Sequence, residues 1–212
     1  MKTKNKIGAL IVAAGKSSRM QAFKPMLPLA EDTLIRTLIR QLLAVGASPI
    51  VLVVGKNATE LSAHVSDLPV ECVCNPDYAS TDMFCSVRIG MEQIRGRCEI
   101  VLFSPGDCPC FSPESAKTLI EEMEKSQVAS LTPCYQGRRG HPVLFRQEII
   151  GHILSYKGEG GLRGALDTAP GEQRLLPLED PGLILDADRP EDYEGMLAYE
   201  KQQKKDTHDS KE

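Results

Sequence analysis

Residues 7–29 read I-G-A-L-I-V-A-A-G-K-S-S-R-M-Q-A-F-K-P-M-L-P-L, and the rest of the chain is organised around this stretch. The apolar run from Ile7 to Ala14 stops abruptly at Gly15. A short run of this kind, β-branched near its middle and bounded by glycine, predicts a buried strand of a parallel sheet. The small residues that follow let the backbone approach a ligand, and their N–H groups would point into the crevice beyond the strand.

The loop after Gly15 is rich in hydroxyl and cationic side chains. These are Lys16, Ser17, Ser18 and Arg19, and Lys24 follows just before Pro25. Two cations from one loop supply charge that suits a polyphosphate. We therefore predict a nucleoside-triphosphate loop, in which Arg19 serves the β- and γ-phosphates and Lys24 serves the α-phosphate where attack occurs.

Other glycine loops fit this stretch less well. The letters G-K-S occur at residues 15–17, but a Walker-type loop needs a glycine where this chain has Leu10, inside the strand. A dinucleotide fingerprint fails because no G-x-G is present. A plain strand–turn–helix connection rarely concentrates glycine, two serines, arginine and lysine.

Composition limits the class of protein. The chain has 212 residues, of which 42% are apolar, enough for one large α/β domain. The net charge of −4 argues against a nucleic-acid partner, which would favour a basic surface. No apolar run approaches the roughly 18 residues of a membrane span. The basic N-terminus precedes an apolar stretch that ends in Gly-Lys-Ser-Ser-Arg rather than a cleavage site, so we do not expect export.

Seven cysteines are present, and their spacing contains no C-x-x-C pair and no zinc pattern. Most lie in apolar strand contexts, where a free thiol behaves as a small hydrophobic group. This usage predicts a reduced, cytoplasmic protein. Cys108 and Cys110 are interpreted as buried inert thiols, and a role in contacting a soft metal or a dithiolene is the alternative.

Strands and helices alternate along the chain as far as Pro133. This order implies right-handed crossovers and a parallel sheet covered on both faces. The predicted strands are Ile7 to Ala14, Pro49 to Gly55, Val70 to Asn75, Cys98 to Ser104 and Val128 to Pro133; the predicted helices are Thr33 to Val45, Asn57 to Val65, one starting at Ser80 to Asp82, and Ser112 to Lys125.

Shorter elements follow from Tyr135 onward. We predict a single three-layer α/β/α domain with a mostly parallel, Rossmann-like sheet over residues 1–200. The polar tail, residues 201–212, has no apolar face and is expected to be disordered. The remaining predictions are short strands at Val143 to Phe145, Leu175 to Leu178 and Gly182 to Leu185, short helices at Gln147 to Ser155 and Gly161 to Asp167, and a last helix after Asp186.

Several strand ends carry polar chemistry. Ligands bind at the carboxyl ends of parallel strands, and Asp107 follows a strand directly after Pro105-Gly106. A carboxylate so placed is a natural Mg²⁺ ligand, with Asp186 or Asp188 as the second. The alternative for Asp107 is a turn residue that binds its own backbone, and for the Asp186 and Asp188 pair it is a helix N-cap.

The pattern A-A-G-x-S-x-R-M, followed by Lys24 and Pro25, resembles the signature loop of the MobA-like NTP transferases, above all their cytidylyltransferases. Further segments agree in order and spacing from about Ile7 to Tyr193. They are the N-P-D-Y-A-S-T-D-M-F-C-S-V-R-I-G-M stretch, P-G-D-C-P, R-R-G-H-P-V-L-F, G-E-G-G-L-R-G-A-L and L-D-A-D-R-P-E-D. Two positions depart from the family pattern: Asp82 stands where the family has glycine, and Arg189 where threonine is usual.

The resemblance implies a fold of the nucleotide-diphospho-sugar transferase type and a set of site residues. It implies that Asn75 and Ser86 help to seat the nucleoside. His141 would touch the acceptor or is positioned by Pro142 alone. The implied catalytic residues are Arg19, Lys24 and Asp107; the nucleotide site is Val12, Ala13, Ala14, Gly15, Ser17, Ser18, Arg19, Lys24, Asn75, Ser86 and Gly106; the acceptor site is Arg139, Gly140, His141 and Pro142; the metal ligands are Asp107, Asp188 and Asp186.

The implied reaction transfers CMP from CTP to the phosphate of molybdopterin, releases pyrophosphate and depends on Mg²⁺. A-A-G rather than A-G-G favours CTP over another nucleoside triphosphate. A molybdoenzyme or its chaperone is a further partner that the resemblance suggests. Two alternatives stay open: nucleotide transfer to a sugar or polyol phosphate, and a nucleotide- or cofactor-binding accessory protein without turnover.

Overall fold

A computed structural model of the chain describes residues 6–15, 20 and 22–209. The strands are β1 (Ile7–Ala13), β2 (Pro28–Leu29), β3 (Asp32–Thr33), β4 (Ile50–Val54), β5 (Glu71–Cys74), β6 (Ile100–Pro105), β7 (Ser130–Tyr135), β8 (Arg138–Arg139), β9 (Val143–Arg146) and β10 (Gln173–Pro177). The α-helices are α1 (Leu34–Ala44), α2 (Ala58–His64), α3 (Met83–Ile94), α4 (Pro113–Lys125), α5 (Ile150–Ser155), α6 (Gly161–Asp167) and α7 (Pro190–Asp209). Short 3-10 helices lie at Lys24–Met26, Gln147–Ile149 and Pro181–Ile184.

The main sheet has the strand order β10-β7-β9-β6-β1-β4-β5, and β8 pairs with β7. Strand β1 lies between β4 and β6 and is parallel to both. Strand β9 runs antiparallel to its neighbours β6 and β7. The prediction of a mostly parallel three-layer α/β sheet is therefore confirmed.

Strand β1 shows why the sequence encodes this fold. Alternate residues of β1 face opposite sides of the sheet, with Ile11 in one hydrophobic cluster and Leu10 in the other. Both side chains are fully buried because helices cover both faces. A strand in this position has no solvent-facing side, which explains its unbroken apolar run.

The helix starts follow their capping residues. Ser112 accepts a hydrogen bond from the N–H of Ser115, and Pro113 occupies the first helical turn of α4, as predicted. Asp82 caps α3 by accepting from the N–H of Cys85. Asn57 precedes α2 in a left-handed conformation, and its side chain forms no cap hydrogen bond.

The strand predicted at Gly182 to Leu185 is wrong: the chain there forms the 3-10 helix Pro181–Ile184. Asp180 fixes this turn by accepting hydrogen bonds from the N–H groups of Gly182 and Ser112. A Cβ atom at Gly182 would collide with the carbonyl oxygen of Cys110, so only glycine allows this close packing. A three-residue apolar pattern does not distinguish such a turn from a strand.

The last helix continues to Asp209, beyond the boundary at residue 200 that the sequence predicts. Met196 is buried and anchors the helix to the domain. Residues 201–205 are all Lys or Gln, which are good helix formers that can extend a helix already nucleated by packing. None of the described helices has the length and apolar character needed to cross a membrane.

Candidate active site

The carboxyl ends of β1 and β6 are held together at one edge of the sheet. Val12 pairs with Pro105 in the parallel register, and the N–H of Gly106 donates to the carbonyl of Val12 over 2.9 Å. A Cβ atom at Gly106 would lie 2.9 Å from that of Ala13, so a larger residue would push the two strand ends apart. Glycine at this position therefore allows Asp107 to follow directly beside the loop after β1.

Lys24 brings three distant parts of the chain to this edge. Its ammonium Nζ lies 3.1 Å from Oδ2 of Asp107 and 2.6 Å from Oδ1 of Asp188. The lysine side chain is only 12% exposed. Burial lowers the pKa of Lys24, but the hydrogen bonds and charges of the two carboxylates outweigh burial and raise its pKa above the usual value. Lys24 is therefore fully charged. Its ammonium group lies where the sequence predicts the binding of both a metal ion and the phosphates.

The third acidic residue lies close to the other two. Burial, followed by the negative charges of Asp107 and Asp188, raises the pKa of Asp186. The N–H of Ala187 donates to the carbonyl oxygen of Asp107 over 3.3 Å, which ties the two segments together. The backbone N–H of Arg189 donates to Asp192, so Asp192 is the carboxylate bound at the start of α7. Of the two aspartates before the helix, Asp188 contacts Lys24 and lines the site, while Asp186 lies near enough to Asp107 and Asp188 to feel their charge.

A cavity of about 380 Å³ opens beside this charged centre, and we call it the Gly15 cavity. It contains most of the predicted nucleotide site, and Tyr78, Thr81, Asp82 and Met83 are lining residues that sequence reasoning missed. Ser17, Ser18 and Arg19 lie outside the described residues. The predicted residues that line it are Val12, Ala13, Ala14, Gly15, Lys24, Ser86, Gly106, Asp107 and Asp188.

Asn75 lies behind the cavity wall rather than in it. The side chain is 1% exposed, and its amide donates to Oγ of Ser86 over 2.9 Å. Its Oδ1 accepts from the N–H of Asp77 over 3.0 Å, and Thr81 provides a longer contact. Both the NH2 group and the oxygen of the Asn75 amide are hydrogen-bonded inside the protein. Asn75 therefore affects the cavity indirectly, because it orients the Ser86 hydroxyl.

A second cavity of about 410 Å³ adjoins the first, and we call it the His141 cavity. Three of the predicted acceptor residues line it, namely Arg139, Gly140 and His141. Asp82 and Met83 line both cavities and mark the seam between them. Strand β9 produces this arrangement. Because β9 runs antiparallel to β6 and β7, it begins at the edge of the sheet where those two strands end.

Apolar side chains form much of the second cavity. Met83 and Leu175 are 56% and 47% exposed, unusually so for large hydrophobic residues, and both line it. Exposed apolar surface in a concave site favours a ligand with an apolar face. The sequence did not single out either residue, because a lone Met or Leu in an amphipathic element usually belongs to the core. The other apolar lining residues are Phe84, Val87, Phe103, Val143, Leu162 and Leu166.

His141 forms the floor between the cavity and the sheet. Its ring packs edge-on against Phe103, with the ring centroids 5.9 Å apart. Its Nδ1 is buried and has no hydrogen-bond partner among the described residues. Burial lowers the pKa of His141 to about 4, although Asp107 and the backbone of Phe103 act in the opposite direction. The imidazole is therefore neutral at physiological pH.

Cys108 and Cys110 beside Asp107 are buried and protonated. Burial raises the pKa of the Cys108 thiol well above its usual value, and burial also raises the pKa of Cys110 to about 12. Cys108 Sγ lies 3.7 Å from Oδ1 of Asp107, as a weak donor. Thiols in this state are poor nucleophiles and poor metal ligands, which agrees with the interpretation of inert buried cysteines.

This geometry, a nucleotide-sized cavity at the carboxyl edge of a parallel sheet with a lysine and two aspartates, is that of an NTP transferase. The family model described as "MobA-like NTP transferase domain" matches residues 9–175. The chain therefore belongs to the MobA-like NTP transferase family, and it is a nucleotidyltransferase.

Named relatives and solved structures agree with this assignment. The molybdenum cofactor cytidylyltransferase of Escherichia coli is 28% identical over 188 residues, covering 88% of this chain and 93% of that protein. The bifunctional protein GlmU of Syntrophotalea carbinolica is 30% identical over 129 residues, which are 59% of this chain but only 27% of GlmU. The fold is similar to Rv0371c from Mycobacterium tuberculosis, with a TM-score of 0.78, 22% identity and coverage of 92% of this chain and 100% of that one.

Replacing Asn75 with alanine should destabilise the fold. The change leaves the buried Ser86 hydroxyl without its donor and removes the acceptor for the N–H of Asp77, an exposed residue, which together cost about 2 kcal/mol of unfolding free energy. Urea unfolding followed by circular dichroism measures the effect. Gln93→Ala is the matched control, since it removes an exposed amide from α3 and should change stability by less than about 0.5 kcal/mol. Equal stability of the two variants would contradict the buried network.

Acid should destabilise the protein partly through His141. Its pKa is lowered in the folded state, so its contribution is fully present above the unfolded pKa of about 6.5 and is lost as pH falls through about 4. The wild type should lose roughly 2 kcal/mol more than His141→Phe between about pH 6.5 and 5. Urea unfolding of both proteins across this range tests it, and parallel pH curves would show that His141 is not held neutral.

Proposed function

We propose that this protein transfers CMP from CTP to the phosphate of molybdopterin, with release of pyrophosphate and dependence on Mg²⁺. The observation that carries the proposal is the pair of adjoining cavities, which meet at Asp82 and Met83: one contains the charged Lys24–Asp107–Asp188 cluster, and the other is lined by arginines and by exposed apolar side chains. Two substrates bound side by side can react directly. Similarity to the Escherichia coli cytidylyltransferase over most of both chains supports this choice of substrates.

The Gly15 cavity suits the nucleotide. Backbone N–H groups that follow β1, together with the small residues Ala14 and Gly15, permit close approach by phosphate oxygens. We assign the charged Lys24 to the α-phosphate, because it is the cation at the end of the cavity nearest Asp107. Arg19 retains its predicted role toward the β- and γ-phosphates.

The His141 cavity suits the acceptor. Arg139 and Arg163 lie at its lining and can pair with phosphate, while Met83 and Leu175 offer apolar surface to a flat ring. Sugar and polyol phosphates carry a hydroxyl group on most of their carbons and would match these apolar side chains less well. This favours a fused heterocyclic acceptor such as molybdopterin over a sugar or polyol phosphate.

The chemistry requires positioning and charge rather than a base. An oxygen of the acceptor phosphate forms a bond to the α-phosphorus of CTP. The bond from that phosphorus to the oxygen shared with the β-phosphate breaks, and this oxygen leaves with the electron pair as part of pyrophosphate. Because the acceptor phosphate is already an anion, no proton has to be removed, and Lys24 contributes by offsetting negative charge as two anions meet.

The acidic residues fit a divalent cation. Within the described part of the chain, no set of three or more His, Cys, Asp or Glu side chains is placed to hold a metal ion. Mg²⁺ at a nucleotide needs only one or two carboxylates, since phosphate oxygens and water complete its shell. Asp107 and Asp188 already share one cation, the Lys24 ammonium, so they would serve as the ligands, with Asp186 adding negative charge. When bound, the metal would neutralise charge on the phosphates. A structure of Rv0371c from Mycobacterium tuberculosis with manganese supports a divalent cation in this fold.

Pyrophosphate release tests the proposal. The purified protein is given CTP or GTP with Mg²⁺, each with and without molybdopterin, and we expect release only when CTP and molybdopterin are both present. Release with CTP and a sugar or polyol phosphate instead would establish the alternative acceptor. Nucleotide binding by calorimetry without any release would establish a non-catalytic accessory protein.

Asp107→Asn should abolish most of the turnover while leaving the fold intact. The variant keeps the shape of the side chain but loses a charge that holds both Lys24 and the metal, which we expect to slow the reaction about 100-fold or more. Initial rates at saturating Mg²⁺ measure the effect. Asp67→Asn, which removes an exposed carboxylate from the Arg36 ion pair far from both cavities, is the matched control and should keep wild-type rates. Wild-type activity in Asp107→Asn would remove this residue from the mechanism.

A further inference from the structure

The connection from α5 to α6 together with the first residue of α6, residues 156–161, forms one wall of the His141 cavity through Gly160 and Gly161, and we call it the 156–161 loop. Both glycines have positive φ, +83° and +59°, which side chains rarely adopt. The hydroxyl of Tyr156 donates to the carbonyl of Glu159 over 2.8 Å and closes the loop on itself. The 156–161 loop is thus a preformed turn whose position relative to α3 decides the width of the cavity.

Arg88 of α3 connects that loop to the opposite wall. Its Nη2 donates to the carbonyl oxygen of Tyr156, and its Cζ lies 4.4 Å from the centroid of the Phe84 ring. Phe84 in turn packs edge-on against Tyr156, with the ring centroids 6.2 Å apart. Phe84 lines the His141 cavity, whereas Arg88 lies behind the wall. We call the three side chains of Arg88, Phe84 and Tyr156 the Arg88 clamp.

The Arg88 clamp carries a penalty in folding free energy that a purely apolar contact would not carry. Nε of Arg88 is buried and lacks a hydrogen-bond acceptor among the described residues. The Arg88 side chain as a whole is only partly buried, but leaving this one donor without an acceptor is unfavourable, and an aliphatic side chain would avoid that penalty. The guanidinium instead provides two directional contacts. It donates a hydrogen bond to the carbonyl of Tyr156, and its planar cation packs on the face of the Phe84 ring.

From this arrangement we infer that Arg88 is a positioning residue for the acceptor. It fixes the Phe84 ring and the 156–161 loop at a set distance and so determines which acceptors the His141 cavity admits. The inference rests on the proposed function, since it takes this cavity as the acceptor site. The nucleotide contacts lie in the Gly15 cavity on the other side of Met83, so Arg88 should affect the two substrates differently.

Steady-state kinetics of Arg88→Met, Arg88→Lys and Arg95→Met test this role with CTP and molybdopterin. We expect Arg88→Met to raise KM for molybdopterin about tenfold, with KM for CTP within about twofold of wild type and kcat largely retained at saturating acceptor. Arg88→Lys keeps the positive charge and a hydrogen-bond donor. Its increase in log KM for molybdopterin should be at most about half of that of Arg88→Met. Arg95→Met removes an exposed arginine at the C-terminal end of α3 and is the matched control, with no expected change. Equal increases in KM for both substrates, or an unchanged KM for molybdopterin, would overturn the inference.

Amide hydrogen exchange separates the inference from the proposed function. Exchange at residues 156–161 should be faster in Arg88→Met than in wild type or Arg95→Met, while exchange in β1 and β6 stays the same. This measurement needs no substrate. If wild type fails to use molybdopterin but the loop loosens as expected, the proposed acceptor is wrong and the clamp stands. If the loop does not loosen, the clamp is wrong whatever the acceptor.

Discussion

The contact of one ammonium group with two carboxylates is the interaction on which the site depends. Lys24 is 83 residues from Asp107 and 164 residues from Asp188 in the sequence, yet its Nζ touches both. The loop after β1, the turn after β6 and the segment before α7 meet through this contact. Three acidic side chains at one sheet edge would otherwise repel one another; the pKa of Asp186 is raised first by burial and then by the charges of Asp107 and Asp188. The lysine thus offsets the negative charge of the carboxylates that meet at this edge.

The antiparallel strand β9 gives the molecule its second cavity. In a wholly parallel sheet, the strand beside β6 would end at this edge, and a helical crossover would have to leave from it. Because β9 instead begins there, Gly140 and His141 enter the sheet at the edge where β1 and β6 end. A Cβ at Gly140 would collide with the carbonyl of Leu183, so the 3-10 helix also depends on glycine. One reversed strand therefore places the residues that we propose for the acceptor beside those that we propose for the nucleotide.

The residues that line the Gly15 cavity could mostly be predicted from sequence, and those that line the His141 cavity only in part. Strand ends in a parallel sheet converge by topology, so Gly15 and Asp107 were expected to meet, and the structure brings them together. Met83, Leu175 and Phe84 contribute apolar lining to the His141 cavity. From sequence alone, apolar residues such as these are expected to lie in the hydrophobic core. Their role arises from packing between α3, α6 and β10, which no local pattern encodes. The turn at Pro181–Ile184 escaped prediction for a similar reason, since Asp180 from outside the apolar run determines it.

The two departures from the family pattern both have a local physical explanation. Glycine and aspartate are each favourable at a helix N-cap, and Asp82 has an ordinary φ of −82° while it binds the N–H of Cys85. The exchange of one for the other therefore preserves the start of α3 and adds a carboxylate at the seam between the cavities. Arg189 stands where threonine would cap a helix with its hydroxyl. Its own N–H is instead bound by Asp192, so the first turn of α7 is secured and Asp188 stays available to face Lys24.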